Sequence, residues 1–264
     1  MKLLYPFLLT AVTAAACLGG TPDIALQPDW KTIFNEHGVE GSILIYDQQK
    51  EAYSGYNLEM IETEYSPAST FKIFNSLVAL ETGAVKTEED TLRWDGKDKG
   101  RPQWNKDHNM RSGIKYSVVW FYQELARRAG PKQMKHYIDI VGYGNKDMSG
   151  GIDAFWLTGG LRISSIQQID FLQRLYANDL PFSQRSIDIV KNIIIVDSTD
   201  TYVLRAKTGW SSHIKPEIGW FVGYIETKGN VYFFSTNIIM TRTEDMAARE
   251  AITREVLKKM GILQ

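Results

Sequence analysis

A hydroxyl and an amine stand three residues apart at Ser69 and Lys72, inside the stretch "SPASTFKIFNSLVAL" from Ser66 to Leu80. Residues at that spacing share a helix face, so the lysine lies one turn beyond the serine and can reach its oxygen. A serine becomes a useful nucleophile only when a base within hydrogen-bond reach takes its proton. A lysine can do so only as the neutral amine, and burial favours that form. Phe71, Ile73, Phe74, Leu77 and Val78 surround Lys72 with residues that seek burial. Pro67 precedes the apolar run and puts Ser69 in a first helical turn, where free N–H groups favour developing negative charge. A capping serine and a lysine whose stem snorkels to solvent would leave the same trace. Spacing alone does not choose between them, because Ser-x-x-Lys recurs at Ser112/Lys115 and Ser212/Lys215.

Two further stretches carry candidate chemistry. "RAKTGW", Arg205 to Trp210, reads as a strand ending in a cation, a hydroxyl and a glycine. Lys207 and Thr208 could recognise an anion there, and Gly209 could let a ligand approach the backbone. Read alone, it is an ordinary exposed strand end. In "IKYSVVWFYQ", Ser117 stands before Val118 and Val119 at the start of a helix, which a simple cap would also explain. The histidines, His37, His108, His136 and His213, are scattered, and none is placed by a motif to serve as the base.

These residues must be positioned by elements drawn from the whole chain. "GSILIYDQQKEAYSGYN" predicts two strands joined around Asp47 to Lys50. "TYVLRAKTG", "EIGWFVGYIE" and "NVYFFSTNI" predict three more, with Lys228-Gly229-Asn230 as a turn. The middle has helical spacing over 71–80, 118–128, 167–176 and 186–195, with stops at Gly83 and at Gly130-Pro131. A last helix is predicted over 244–260, stopped by Gly261. Strands at both ends around a helical middle imply α+β layers within the α/β class. One antiparallel sheet is built from both chain ends and flanked by helices, with a helical subdomain inserted and a cleft between the two.

Composition limits the partners. Of 264 residues, 30 are basic and 31 acidic, giving a net charge of −1 with no run of either sign. Neither a nucleic acid nor an anionic membrane is therefore advertised, and a small molecule is the expected partner. "MKLLYPFLLTAVTAAACLGG" reads as a secretory signal over 1–16, with Ala14-Ala15-Ala16 before the cut. Its apolar stretch is shorter than the ~20 residues that span a bilayer. Cys17 is the single cysteine, so no internal disulfide forms. Its place after the cut leaves a lipid anchor open, although Ala14 stands where a lipobox usually has leucine.

Taken in order, Ser69-x-x-Lys72, Ser117-x-Val119 and Lys207-Thr208-Gly209 match the signature of penicillin-recognising enzymes, apart from its middle element. With "PASTFKI", "WNKDHNM", "KYSVVWFYQE", "YGN" at 143–145, "FWLTGGLRIS", "KTGW" and "AREAITREVL", the chain resembles the class D (oxacillinase-type) serine β-lactamases from about Trp30 to Leu263. The absence of aspartate or asparagine at Val118 and Val119 argues against class A relatives. The resemblance implies a serine β-lactamase/penicillin-binding transpeptidase-like fold. The catalytic domain would cover 22–264, with sheet subdomain 22–60 and 200–264 and helical subdomain 65–195.

It also implies roles. Ser69 would form an acyl-enzyme with the β-lactam, which water then hydrolyses. Lys72, in a pocket of Phe71, Val119, Trp156 and Leu157, would capture carbon dioxide and act as a carbamate base (N6-carboxylysine), held by the Trp156 indole N–H. Backbone N–H groups of Ser69 and Trp210 would form the oxyanion hole, and Ser117 would relay a proton. Lys207 would supply positive potential, Thr208 and Arg249 would receive the substrate carboxylate, and Trp104 would line the cleft mouth. No metal and no other cofactor are expected. Penicillins and oxacillin-type substrates are expected, at a periplasmic site, in free form or as an outer-membrane lipoprotein. His213, where slow carbapenem hydrolysers commonly have arginine, leaves carbapenem turnover open, and a homodimer also stays open. The rival readings are a cell-wall penicillin-binding protein and a receptor's β-lactam sensor domain.

Overall fold

A computed structural model of the protein describes residues 22–263. The expected signal over 1–16 and Cys17 lie outside the described residues. The strands are β1 (Ile24–Leu26), β2 (Gly41–Asp47), β3 (Ala52–Tyr56), β4 (Ile195–Ser198), β5 (Tyr202–Trp210), β6 (Ile218–Thr227) and β7 (Val231–Ile239). They form one sheet in the order β1-β3-β2-β7-β6-β5-β4. Every pairing is antiparallel except that of β1, which runs parallel to β3 with Ile24 opposite Tyr53. The near-continuous apolar runs of β6 and β7 take the middle of the sheet, because both faces of each are covered.

The α-helices are α1 (Lys31–Glu36), α2 (Leu58–Glu62), α3 (Lys72–Glu81), α4 (Met110–Lys115), α5 (Val119–Ala129), α6 (Pro131–Val141), α7 (Ser165–Ala177), α8 (Gln184–Ile193) and α9 (Ala248–Lys259). Two cores result. One lies under α1 and α9, where Ile252, Val256 and Leu257 meet Ile43, Phe234 and Ile238. The larger lies between the other sheet face and the helices, around Phe71, Phe74, Leu77, Phe155, Trp156, Tyr224 and Phe233. Burying a side chain of this size stabilises by roughly 1.5–3 kcal/mol, so α3, buried from Lys72 to Leu80, is held rigidly.

The structure departs from the sequence reading at several boundaries. Helix α8 stops at Ile193, and the apolar run beyond it becomes the edge strand β4, a run short enough to suit either period. Pro131 does not end the helical region. It occupies the first position of α6, where its missing N–H costs nothing. Glu244 lies in a 3-10 turn, Thr243–Met246, and α9 starts at Ala248. Strand β4 faces β5 only from Val203 to Arg205. From Lys207 onward, the outer edge of β5 carries no strand among the described residues, and this open edge borders the cleft described below.

Helix α7, packed on β7, begins with a capping box in which Ser164 accepts from Gln167 N and Gln167 Oε1 accepts from Ser164 N. Ser164→Ala should lower the urea unfolding free energy by about 1 kcal/mol, with the denaturant slope unchanged.

Candidate active site

Ser69 lies in the 3-10 turn Ala68–Phe71 that leads directly into α3. Ala68, just before it, adopts φ +47°, a left-handed conformation that persists in a non-glycine residue only when the surroundings enforce it. Those surroundings are visible. Ser66 Oγ donates to Trp156 O at 3.1 Å, and Trp220 Nε1 donates to Ser66 O at 2.9 Å. Thr70 Oγ1 donates to Pro67 O and accepts from Gln168 Nε2. The turn is therefore tied to β6, to α7 and to the loop that carries Trp156.

Lys72 Nζ lies 2.6 Å from Ser69 Oγ. The lysine is fully buried, with Nζ 5.4 Å from the centroid of the Tyr122 ring. Burial holds its pKa well below the ordinary lysine range, and the charges of Lys207 and Arg101 push the same way. The neutral amine is the form that can accept the serine proton. Trp156 stacks on Phe71 with centroids 5.1 Å apart, and its buried indole N–H has no acceptor. Leaving such a donor unpaired costs about 1–3 kcal/mol, so the position suits a further acceptor.

Ser117 is not a cap. Val118 takes that position at the head of α5, while Ser117 itself has φ +54°. Its Oγ accepts from Lys207 Nζ at 3.1 Å, and the same ammonium donates to Thr208 O at 3.0 Å. Burial lowers the Lys207 pKa to about 7, with the nearby Arg249 charge contributing. Arg249, also buried, donates from Nε to Met246 O and from a terminal nitrogen to Gly209 O. Burial brings its pKa down to about 10.

A cleft of about 270 Å³ is lined by Ser69, Trp104, Ser117, Val119, Leu157, Thr208, Gly209, Trp210 and Arg249. Trp104 is fixed at its edge by an indole hydrogen bond to Tyr116 O. Lys72, Trp156 and Lys207 are buried. The other two Ser-x-x-Lys pairs do other work: Ser112 closes the capping box of α4, and Lys115 is exposed beside the Tyr116 ring. Lys215 pairs with Glu217 in the β5–β6 loop. A larger cavity, about 470 Å³, borders Lys207 and Thr208 but is not lined by Ser69.

The chain matches the penicillin-binding protein transpeptidase domain family over residues 38–258. It is 42% identical to β-lactamase OXA-48 of Klebsiella pneumoniae, over 97% of this chain and 98% of that one. It is 34% identical to β-lactamase OXA-10 of Pseudomonas aeruginosa, over 100% of this chain and 99% of that one. The crystal structure of the class D β-lactamase YbXI from Nostoc superposes with a TM-score of 0.88 at 49% identity, covering 90% of this chain and 100% of that chain. The chain belongs to the class D β-lactamases.

Several members of this class D site gave no signal in the sequence. Ser66, Trp220 and Gln168 act through hydrogen bonds across 90 or more residues, beyond the reach of local patterns. Gly219 makes room for the buried arginine, since a Cβ there would lie 2.7 Å from Arg249 Cδ. Gly209 has a packing role as well. A Cβ on it would meet Pro67 O at 3.0 Å and Thr70 Cγ2 at 3.1 Å. The missing side chain therefore also lets β5 pack on the nucleophile's own turn, while Gly209 lines the cleft. Arg101, Ser211, Ser212, His213 and Met246 complete the lining. Among the described residues, no group of three or more His, Cys, Asp or Glu could hold a metal.

Keeping Lys72 neutral costs stability. Its folded pKa is depressed, so over the range between that value and the unfolded one the unfolded chain binds more protons, and stability falls with falling pH. Lys72→Met should therefore raise the unfolding free energy by on the order of 1 kcal/mol or more. The gain should be larger at neutral than at alkaline pH, read from denaturant midpoints across the pH range.

Proposed function

We propose that the protein hydrolyses β-lactam antibiotics, penicillins and oxacillin-type compounds among them, through a Ser69 acyl-enzyme, and thereby confers β-lactam resistance. The observation that carries this reading is the 2.6 Å contact between Ser69 Oγ and a lysine amine stripped of water. In acylation the Ser69 proton passes to the base at Lys72, Oγ bonds to the lactam carbonyl carbon, and the ring C–N bond breaks. Ser117, hydrogen-bonded to Lys207, relays a proton to the departing nitrogen. In deacylation the same base takes a proton from water, which attacks the ester and returns Ser69.

Backbone N–H groups of Ser69 and Trp210 stabilise the oxyanion, where one such donor is typically worth ~2.7–4 kcal/mol. Lys207, Thr208 and Arg249 attract and hold the ring carboxylate, with Trp104, Val119 and Leu157 packing against the substrate. Carbon dioxide added to the neutral Lys72 would supply an anionic base, N6-carboxylysine, and the unpaired Trp156 indole N–H is the donor that group requires. The leader over 1–16 would direct the chain to the periplasm. Among the described residues, no helix is long and apolar enough to cross a membrane.

Purified protein mixed with nitrocefin should turn over many equivalents, whereas a single stoichiometric burst would fit a β-lactam sensor or a wall enzyme. Lys72→Ala should acylate slowly or not at all and show no deacylation, followed by mass spectrometry of the acyl-enzyme. Acid protonates Lys72 and removes the form that binds carbon dioxide, so turnover should fall at mildly acid pH and recover on adding bicarbonate. A carbon-13 carbamate signal should accompany the recovery. Rates indifferent to bicarbonate, with no such signal, would refute the carbamate.

A further inference from the structure

Arg101 lines the same cleft as Ser69 and Arg249. It precedes the 3-10 turn Pro102–Trp104, and its carbonyl accepts from Trp104 N at 2.8 Å. Its guanidinium carbon lies 5.0 Å from the centroid of the Trp104 ring. That ring is anchored at its indole N–H, and Trp104 O accepts from Trp120 Nε1. The cation thus rests on a fixed aromatic platform at the edge of the cleft.

Its charge is unspent. Lys99 pairs with Asp95 and Arg111 with Glu88 and Glu89, but among the described residues no carboxylate forms an ion pair with Arg101. None of the residues lining the cleft is Asp or Glu. Arg249 has already committed two of its nitrogens to Met246 O and Gly209 O. What remains suits the single carboxylate on the β-lactam's fused ring. With that carboxylate at Arg249 and the lactam carbonyl at Ser69, the acylamino substituent beside the carbonyl must face the rest of the lining, where Trp104, Leu157 and Arg101 lie.

We propose that Arg101 is a specificity-determining residue that favours β-lactams bearing a second carboxylate on the acylamino side chain. This inference rests on the hydrolase reading given above. A guanidinium donates two parallel N–H···O bonds to a carboxylate, and its position at the cleft edge lets it act on the incoming anion as well as on the bound one.

Carbenicillin differs from benzylpenicillin only by a carboxylate on the side-chain α-carbon, so the ratio of their kcat/KM values isolates the interaction. Arg101→Gln should lower the carbenicillin-to-benzylpenicillin ratio about tenfold, chiefly through KM. Arg101→Lys, which keeps the charge without the fork, should restore only part of it. In the unaltered protein the ratio should fall as salt rises from about 0.01 M to about 1 M, where the screening length shrinks from about 30 Å to about 3 Å. A ratio unmoved in Arg101→Gln, including equal losses on both penicillins, overturns the assignment of Arg101 and leaves the hydrolase standing. Failure of the unaltered protein to hydrolyse either penicillin overturns both.

Discussion

An amine kept out of water beside an alcohol is the interaction on which the rest of this structure depends. Lys72 is fully buried, with Nζ 5.4 Å from the Tyr122 ring centroid. It lies on a helix packed into the core that holds Phe71, Phe155 and Trp156, a setting that would hold an apolar side chain equally well. Putting a lysine there sacrifices stability for reactivity, since the same desolvation that disfavours the ammonium creates a base. The aromatic cluster under α3 is therefore part of the chemistry as much as of the core. Positive charges at Lys207 and Arg101 reinforce the effect, and in the proposed mechanism Lys207 and Arg249 also serve the ligand's anion. One electrostatic arrangement depresses the protonation of cationic groups and, in the proposed reading, also gathers a negatively charged substrate.

The nucleophile is held by backbone geometry that no side chain at the site could impose alone. Ala68 and Ser117 both adopt left-handed backbone conformations, and each precedes an element that begins in the cleft wall. Conformations of this kind cost of order 1–3 kcal/mol each. Here the packing of Gly209 on Pro67 and the Trp220 and Ser66 hydrogen bonds hold the turn at Ala68, and Lys207 holds Ser117. Gly209 and Gly219 serve packing of backbone or buried charge against strands, so the tolerance for change at these small residues is low.

Much of this was legible in the amino-acid order. Lys72 in an apolar helix and a lysine-threonine-glycine strand end announced a site, and aromatic, β-branched runs announced β5 to β7. What stayed hidden was whatever depends on distant partners. Ser-x-x-Lys occurs three times; Pro67 and the apolar run that follows favour the first pair, and tertiary burial then separates Ser69/Lys72 from the capping serine at Ser112 and the loop pair at Ser212. Pro131 reads equally as the end of one helix or the first residue of the next. Ile195 and Val196 continue an apolar run whose change from helix to strand is decided by the free edge of β5. Arg101 carries no periodic or motif signal, because its meaning comes from the charges that fail to surround it.

The bonds that fix the serine's turn span great lengths of chain: Ser66 waits for Trp220, and Ser117 for Lys207. Contacts of such sequence separation form late, after the entropy of closing the intervening loops has been met. A nascent polypeptide that has emerged only through its helical middle has the serine and the lysine but lacks the strands that seal them from water. Reactivity thus depends on closure of these strands over the site, and a partly unfolded molecule carries an inert alcohol.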